Sequence, residues 1–408
     1  MHTTMATENN NKNLNVPNLR FPEFGGEWEC KKLGDIGTTL IGLTYSPQDV
    51  VPSDGTIVLR SSNIKGGLLD YTDLVRVNKK IKESIITRTN DILICARNGS
   101  ARLIGKNAIL KDSDCGHTFG AFMMVYRSED NPFVHQLLST KRYYSQVAEN
   151  LGARINQITT SDLNSFEFSF PQSKKEKVKI ASMLSLLDER IATQIKIIED
   201  LKKLKSAISN KLFARKDLLE KQIAISEVGT LKNGYAFQSS SYNPCGRHKI
   251  ITIANVPGTR YIDTENCNRI LSIPKDIQQH QILTKGDILI SLTGNVGRVS
   301  LCDEGEYLLN QRVGLLQLKT NVDREYIYQA LSHSRFERSM ISCGQGAAQM
   351  NIGKSDVEDY FIPYSNNIAH LSRIASILKA YDSLIIYEYK RLNLFNKQKQ
   401  YLLAQMFI

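Results

Sequence analysis

Two stretches of the chain carry apolar residues at helical spacing. Between residues 180 and 212 the apolar positions recur in steps of three and four, and the opposite face is rich in lysine and glutamate. The same alternation runs from residue 371 to residue 406, where only Glu388 and Lys399 interrupt it. Such a stripe is typical of a coiled-coil seam. The pattern therefore predicts two long helices, each of which needs a partner to bury its stripe.

The two helical stretches belong to an internal repeat of the whole chain. Three matches share a separation of 194 residues: 180–184 with 374–378, Asp188 with Asp382, and Phe213 with Phe407. The beginnings of the halves match less closely, at separations of 192 and 196: residues 33–37 with 225–229, and 91–94 with 287–290. Each half is therefore a variable body followed by a more similar helix. An antiparallel pair within one chain is the simplest packing, although a coiled coil between two chains uses the same stripes.

Each body contains short β-like runs separated by turn residues. These runs are residues 56–59, 91–95 and 121–126 in the first body, and 250–253, 287–290 and 313–318 in the second. Helical pieces are predicted at 132–149 and 324–341. The predicted fold class is α+β: two α/β bodies with sheet cores, separated and joined by long antiparallel coiled-coil helices with pseudo-two-fold symmetry. The predicted segments are a disordered tail (1–15), the bodies (16–171 and 223–365) and the helices (172–222 and 366–408).

Composition and charge narrow the class of protein. Of the 408 residues, 41% are hydrophobic, and no apolar run approaches the roughly 18 residues of a membrane span. The polar, Asn-rich start is unlike a secretion signal, so we expect a cytoplasmic protein. Seven cysteines without a Cys-x-x-Cys pair predict reduced, mostly buried thiols and argue against a zinc site. The net charge of +11 favours a polyanionic partner such as nucleic acid.

Polar loops beside the predicted strands carry the side chains that read bases. Arginine can pair with guanine, and asparagine or glutamine with adenine, while glycine lets backbone approach phosphate. The candidates in the first body are Arg60, Ser62, Asn63, Lys65, Arg97, Asn98, Ser100, Arg102, Arg154, Asn156 and Gln157. Those in the second body are Asn255, Thr293, Asn295, Arg298, Gln345, Gln349 and Asn351. Any one of them is equally compatible with a solvated turn, so the prediction rests on the set.

Enzyme motifs are incomplete throughout the sequence. Residues 361–364 lack the amide and first proline of a methyltransferase motif, and residues 99–107 lack the spacing and hydroxyl of a P-loop. Lys106 is then a surface or phosphate-neutralising lysine. We predict no catalytic, cofactor-binding or metal-binding residue in this chain. A nuclease or methyltransferase with recognition domains, and a coiled-coil transcription regulator, are the alternatives. The divergence of the two bodies argues against the regulator, which would read identical half-sites.

Taken together, the arrangement resembles the specificity subunit of type I restriction-modification systems. The resemblance covers nearly the whole chain and includes residues 16–24 with Trp28, residues 32–35, and the segments that lead into each helix, 158–171 and 352–363. It implies that each body is a target recognition domain for one half of a split DNA sequence. It also implies that the helices set the unread spacer.

The resemblance further implies which partners supply the chemistry. Two methylation subunits would bring S-adenosylmethionine and methylate adenine at N6, and two restriction subunits would bring ATP and Mg for translocation and cleavage. Double-stranded DNA is the remaining partner, and no cofactor is expected in this chain itself.

Overall fold

The computed structural model describes residues 15–153, 156–344 and 350–408. Its chain divides into two compact units, one made of Met1–Thr193 with Leu392–Ile408 and the other of Gln194–Arg391. Each unit therefore contains one body and one part of each long helix. The predicted segments, in contrast, keep the helices apart from the bodies. The difference arises because each part of a helix buries its stripe against the body of its own unit.

The two long stripes form the helices that the sequence predicts. In chain order, the α-helices of the described residues are α1 (Leu33–Ile36), α2 (Asn131–Leu137), α3 (Lys141–Ala153), α4 (Thr160–Ser165), α5 (Lys174–Phe213), α6 (Ile225–Val228), α7 (Arg324–Leu331), α8 (Ser334–Cys343), α9 (Lys354–Glu358) and α10 (Ile368–Met406). Helix α5 ends before the predicted limit at residue 222, because the chain turns back and Leu219 N donates to the Arg215 carbonyl at 2.8 Å. No helix of the described residues is long and apolar enough to cross a membrane.

Two four-stranded sheets make up most of the first body. The strands are β1 (Glu29–Lys32), β2 (Thr38–Ile41), β3 (Val50–Val51), β4 (Thr56–Leu59), β5 (Ile64–Lys65), β6 (Leu68–Leu69), β7 (Val75–Val77), β8 (Ile92–Cys95), β9 (Asn107–Ile109), β10 (Thr118–Phe119), β11 (Met123–Arg127) and β12 (Glu167–Phe170). The four-stranded sheets have the orders β2-β11-β8-β9 and β10-β4-β7-β3, and β1-β12 and β5-β6 form separate pairs. Strand β10 is parallel to β4, and β1 is antiparallel to β12.

The second body repeats the two four-stranded sheets, with changes at the edges of one of them. Its strands are β13 (Lys221–Ala224), β14 (Gly229–Asn233), β15 (His248–Ile251), β16 (Asn268–Ile270), β17 (Ile282–Leu283), β18 (Ile288–Ser291), β19 (Val299–Leu301), β20 (Tyr307–Leu309), β21 (Val313–Leu318) and β22 (Phe361–Tyr364). The sheet β14-β21-β18-β19 matches its counterpart strand for strand. The other sheet has the order β16-β15-β20-β17 and corresponds to β10-β4-β7-β3 of the first body. Its edge strand β17 lies beside β20, whereas the edge strand β3 of the first body lies at the opposite edge, beside β7. The predicted α+β repeat is confirmed.

A central strand in each body explains the apolar runs of the sequence. In β8, Ile92 and Ile94 face the core beneath the helices, while Leu93 and Cys95 face the other sheet. In β18, Ile288 belongs to the helix-side core in the same way. Alternate side chains of a strand point to opposite faces. A strand that is covered on both faces therefore reads as a continuous apolar run.

In the first unit, the end of α10 lies antiparallel to the beginning of α5. Asp188 of α5 accepts hydrogen bonds from Lys399 Nζ at 2.5 Å and from Gln136 Nε2 at 3.2 Å. Gln136 belongs to α2, so this one carboxylate joins both helices to the body. Phe407 extends the contact, with its ring centroid 6.3 Å from that of Trp28.

The second unit repeats this contact with the roles of the helices exchanged. Asp382 of α10 accepts from Lys205 Nζ of α5 at 2.5 Å and from Gln329 Nε2 of α7 at 2.7 Å. Arg260 adds a third donor at 3.2 Å and also pairs with Glu325 at 2.6 Å. Burial acts to raise the pKa of Glu325, but hydrogen bonds from Arg260 and Gln329 outweigh it and hold that pKa below its usual value.

The two polar residues that interrupt the second stripe, Glu388 and Lys399, form hydrogen bonds within the protein. Lys399 pairs with Asp188, as described above. Glu388 is buried and accepts from Nε2 of Gln194, also buried, at 2.5 Å. Gln194 stands 194 residues before Glu388, so these two residues are each other's repeat equivalents.

The seven cysteines are all free thiols, but they are not mostly buried as predicted. Cys30, Cys245 and Cys343 are exposed. Cys95 and Cys302 are buried, and burial raises the pKa of both thiols, to about 12 for Cys302. These two thiols are therefore protonated at neutral pH.

The Asp382 contact generates a stability prediction. Asp382→Ala removes the acceptor shared by Lys205, Gln329 and Arg260, and we expect a loss of about 3 kcal/mol, because buried charges are left without their partner. The matched control is Asp200→Ala, which removes an exposed pair with Lys203 and should cost less than about 1 kcal/mol. Thermal and urea unfolding of both variants measure the difference. Equal stabilities would contradict the assigned role of Asp382.

Candidate nucleic-acid interface

Three loops of the first body that carry predicted base-reading residues meet in space. The loop that contains Arg97 and the loop that contains Gln157 are joined by an isolated antiparallel bridge between these two residues. Asn98 Nδ2 of the first of these loops donates to Ser61 Oγ of the third loop at 2.9 Å. Asn156 Nδ2 donates to the Gly99 carbonyl at 3.1 Å. Residues that lie 37 to 60 positions apart in sequence therefore form one surface.

This surface surrounds a cavity of about 1010 Å³. Five predicted residues line it: Arg60, Ser62, Arg97, Asn98 and Asn156. Its remaining walls are largely apolar and include Leu43, Tyr45, Val50, Val75, Phe122 and Met123. The predicted residues Lys65, Ser100, Arg102 and Gln157 do not line it. The structure thus gathers part of the predicted set around one concave, positively charged site.

Two of the predicted residues have structural roles. Asn63 is completely buried, and its side chain accepts from Arg60 N at 2.8 Å and donates to the carbonyls of Asp70 and Asp73. Asn255 repeats the arrangement in the second body, accepting from Thr252 N at 2.9 Å. Because their amides are occupied by backbone groups, we remove both residues from the set of base contacts.

Two lysines of the first body are engaged within it. Lys65 pairs with Asp70 at 2.5 Å, and hydrogen bonds from Lys65 and Thr72 hold the pKa of Asp70 well below its usual value. Lys106 donates to the Ile64 carbonyl at 3.0 Å, and burial lowers its pKa. Lys106 is half-buried, and this bond ties it to strand β5. A surface or phosphate-neutralising role for Lys106 stays a prediction.

The second body uses different residues in the equivalent bridge. Thr293 pairs with Asn351 where the first body pairs Arg97 with Gln157, and Thr293 Oγ1 donates to Asn351 Oδ1 at 2.8 Å. Thr293 is buried, so its hydroxyl serves this bridge. Asn295 is exposed, and Arg298 Nε lies 3.6 Å from Glu337 Oε1. The remaining predicted residues, Arg154, Gln345 and Gln349, lie outside the described residues.

Phe122 was not among the predicted residues, although it lines the cavity and is 60% exposed. It was placed in a predicted strand over residues 121–126, but β11 begins only at Met123. Residues 120–123 instead form a turn in which Met123 N donates to the Gly120 carbonyl at 2.8 Å. The small pair Gly120-Ala121 before a bulky residue is the signal that could have indicated it. Arg312 occupies the equivalent position in the second body. Its carbonyl accepts from Leu292 N, just as the Phe122 carbonyl accepts from Ala96 N in the first body.

Comparison with known proteins identifies two matches to one family along this chain. Residues 25–203 and 220–396 each match the type I restriction modification DNA specificity domain. The chain is 25% identical over 393 residues to the EcoKI specificity subunit of Escherichia coli, covering 88% of this chain and 83% of that protein. It is 27% identical to the putative MjaX specificity subunit of Methanocaldococcus jannaschii, covering 95% of both.

A solved structure shows the same fold. The crystal structure of the type I restriction-modification S subunit from M. genitalium aligns with a TM-score of 0.61 at 17% identity, covering 96% of this chain and 99% of that one. The described residues bring together no cluster of three or more side chains able to hold a metal ion.

The two neighbours Ser62 and Asn63 provide a test that separates structural from reading residues. Asn63→Ala removes a buried amide that holds one backbone N–H and two carbonyls, so we expect a loss of about 1 to 3 kcal/mol in the free energy of unfolding. Ser62→Ala, at the exposed neighbouring position, should change stability by less than about 0.5 kcal/mol. Urea unfolding measures both. A stable Asn63→Ala variant with altered DNA specificity would restore Asn63 to the reading set.

Proposed function

Because the chain belongs to the family of type I restriction modification DNA specificity domains, we propose that it recognises a bipartite, asymmetric sequence of double-stranded DNA. It is a specificity subunit and not a catalytic one. In this proposal each body reads one half of the target. One observation carries the proposal: the two bodies share a fold but place different side chains at equivalent positions of the loops, Arg97 and Phe122 in one, Thr293 and Arg312 in the other.

Charge and shape support DNA as the partner. The chain carries a net charge of +11, and each cation placed on a phosphate releases a condensed counterion. Around the first cavity, Arg60 and Arg97 stand beside amide side chains that can pair with base edges. The arrangement suits contact with both backbone and bases.

The long helices are proposed to set the unread spacer and to dock two methylation subunits. A continuous helix such as α5, with 40 residues, is about 60 Å long. Large apolar side chains remain exposed on both helices, among them Leu186 and Leu394 at 61% and 64%. The methylation subunits would supply S-adenosylmethionine and adenine N6 methylation, and two restriction subunits would supply ATP- and Mg-dependent cleavage. The complex would act in the cytoplasm.

Sequencing the methylated bases of the genome tests this proposal. Cells that contain the methylation subunits are compared with and without this chain. We expect a methylated motif that has two different specific halves, a gap of fixed length and a modified adenine, and that disappears without the chain. A motif with two identical halves would favour the coiled-coil regulator arrangement, and an unchanged methylome would contradict the proposal.

Exchanging one body provides a second prediction. Residues 20–171 are replaced by the corresponding body of another family member, while the second body is kept. Because each body has its own cores, we expect only one half of the methylated motif to change. Changes in both halves would contradict independent reading by the two bodies.

Arg97 and Arg298 are the arginines that we expect to read bases. Arg97→Ala or Arg298→Ala should each weaken binding to the target by about 1 to 3 kcal/mol and relax the specificity at one position. Arg88→Ala, which removes an exposed arginine of the first body away from the cavity, is the matched control for loss of one charge. Binding of the complex to target and single-base variants gives the readout. A loss that is equal for all sequences would identify a phosphate contact instead.

A further inference from the structure

A guanidinium forms part of the cavity wall in the first body. Arg60 lines the cavity, and its NH2 group donates to Asp73 Oδ2 at 2.8 Å. The Arg60 side chain is 33% exposed, so part of its guanidinium is open to the cavity, while its Nε is buried. The cavity therefore offers a charged donor to a ligand that carries an acceptor atom.

An exposed aromatic ring forms one wall of the same cavity. The Phe122 carbonyl accepts from both Ala96 N and Arg97 N at 3.0 Å, which fixes the turn that presents the side chain. The guanidinium of Arg97 lies 5.2 Å from the centre of the Phe122 ring. The ring is thus held in place although most of it is exposed. Tyr45 lines the cavity as a second aromatic residue.

We propose that this cavity binds one nucleobase of the DNA target after that base has left the stack, with the Phe122 ring as its stacking surface. The inference rests on the proposed function and adds a ligand and a binding mode to the first body. The exposed part of the Arg60 guanidinium would donate to a carbonyl or ring nitrogen of the base, while Arg97 lies beside the ring.

Size and lining favour a whole base over a smaller group. At about 1010 Å³, the cavity has the volume of a small-molecule site and far exceeds what a thymine methyl group requires. Pockets for extruded bases combine aromatic or apolar walls with a few hydrogen-bond donors. This is the combination of Phe122, Tyr45 and Arg60. Base–aromatic stacking recovers free energy of the same order as the cost of unstacking one base.

The second body differs at the residues that this inference uses. Arg312 replaces Phe122, Thr293 replaces Arg97, and Thr252 replaces Arg60, as the equivalent backbone hydrogen bonds show. We therefore assign this binding mode to the half of the target that the first body reads.

The test uses the complex of the full chain with its methylation subunits, on DNA that carries the motif found by methylome sequencing. 2-Aminopurine, whose fluorescence increases on unstacking, replaces one base at a time in the half read by the first body. We expect a rise at one position other than the methylated adenine. Phe122→Ala should abolish that rise and weaken target binding about fivefold to a hundredfold, as expected for loss of one stacking contact.

Two variants serve as controls. Phe122→Tyr keeps an aromatic ring and should keep the fluorescence rise. Ile41→Ala removes another exposed apolar side chain of the same body, 61% exposed and outside the cavity wall, and should also keep it. Thermal unfolding checks that all variants are folded.

The outcomes separate this inference from the function on which it rests. If only the methylated adenine brightens, or if Phe122→Ala leaves the second position bright, the base does not bind against Phe122 and the inference is overturned. If the wild-type complex shows no preference for its motif over scrambled DNA, the proposed function fails, and this inference fails with it.

Discussion

An aspartate at the same position of each long helix, half-buried as Asp188 and buried as Asp382, joins both helix parts to the body of its unit. A buried carboxylate must be paired and hydrogen-bonded, because its desolvation is otherwise uncompensated. Asp188 meets this requirement with Lys399 and Gln136, and Asp382 with Lys205, Gln329 and Arg260. A shift of one residue along either helix would rotate its side chains by about 100° and separate these partners. We therefore interpret each contact as fixing, within its own unit, the register of the two helix parts and the position of the body against them.

The repeat keeps the residues that build the body and varies those that face the cavity. Asn63 and Asn255 bind the backbone of their own loop in the same way, although the residues capped, Arg60 and Thr252, differ. The bridge between two reading loops is also kept, although Arg97 in one body corresponds to Thr293 in the other. One architecture thus supports two different loop surfaces. The proposed asymmetric target requires this property of a pseudo-symmetric protein.

Sequence patterns predicted the parts of the fold that depend on periodicity. The stripes of α5 and α10 and the apolar runs of β8 and β18 follow from burial at a regular spacing, and all four are present. Each of the two predicted helical pieces is divided in two in the structure, into α2 and α3 and into α7 and α8. The sequence did not predict these breaks, because a short break leaves the apolar spacing nearly unchanged. The role of Asn63 was not predictable, since an asparagine that caps a loop and one that binds adenine are identical in sequence. Phe122 was missed because a bulky apolar residue beside a strand resembles a core residue.

Residues that hold each unit together and residues that line the cavity differ in how much their replacement affects stability. This difference would allow a chain of the proposed function to acquire a new target. Replacing a scaffold group such as Asp382 leaves buried charges unpaired and costs several kcal/mol, a large share of the 5 to 15 kcal/mol that stabilises a typical domain. Exposed residues such as Ser62, Arg97 and Phe122 add little to the core, so their replacement is expected to change stability by about 0.5 kcal/mol or less. Their loops remain in place because backbone bonds position them, as in the hydrogen bonds of Ala96 and Arg97 to the Phe122 carbonyl. The proposed reading residues can therefore change independently in the two bodies while the helices stay the same.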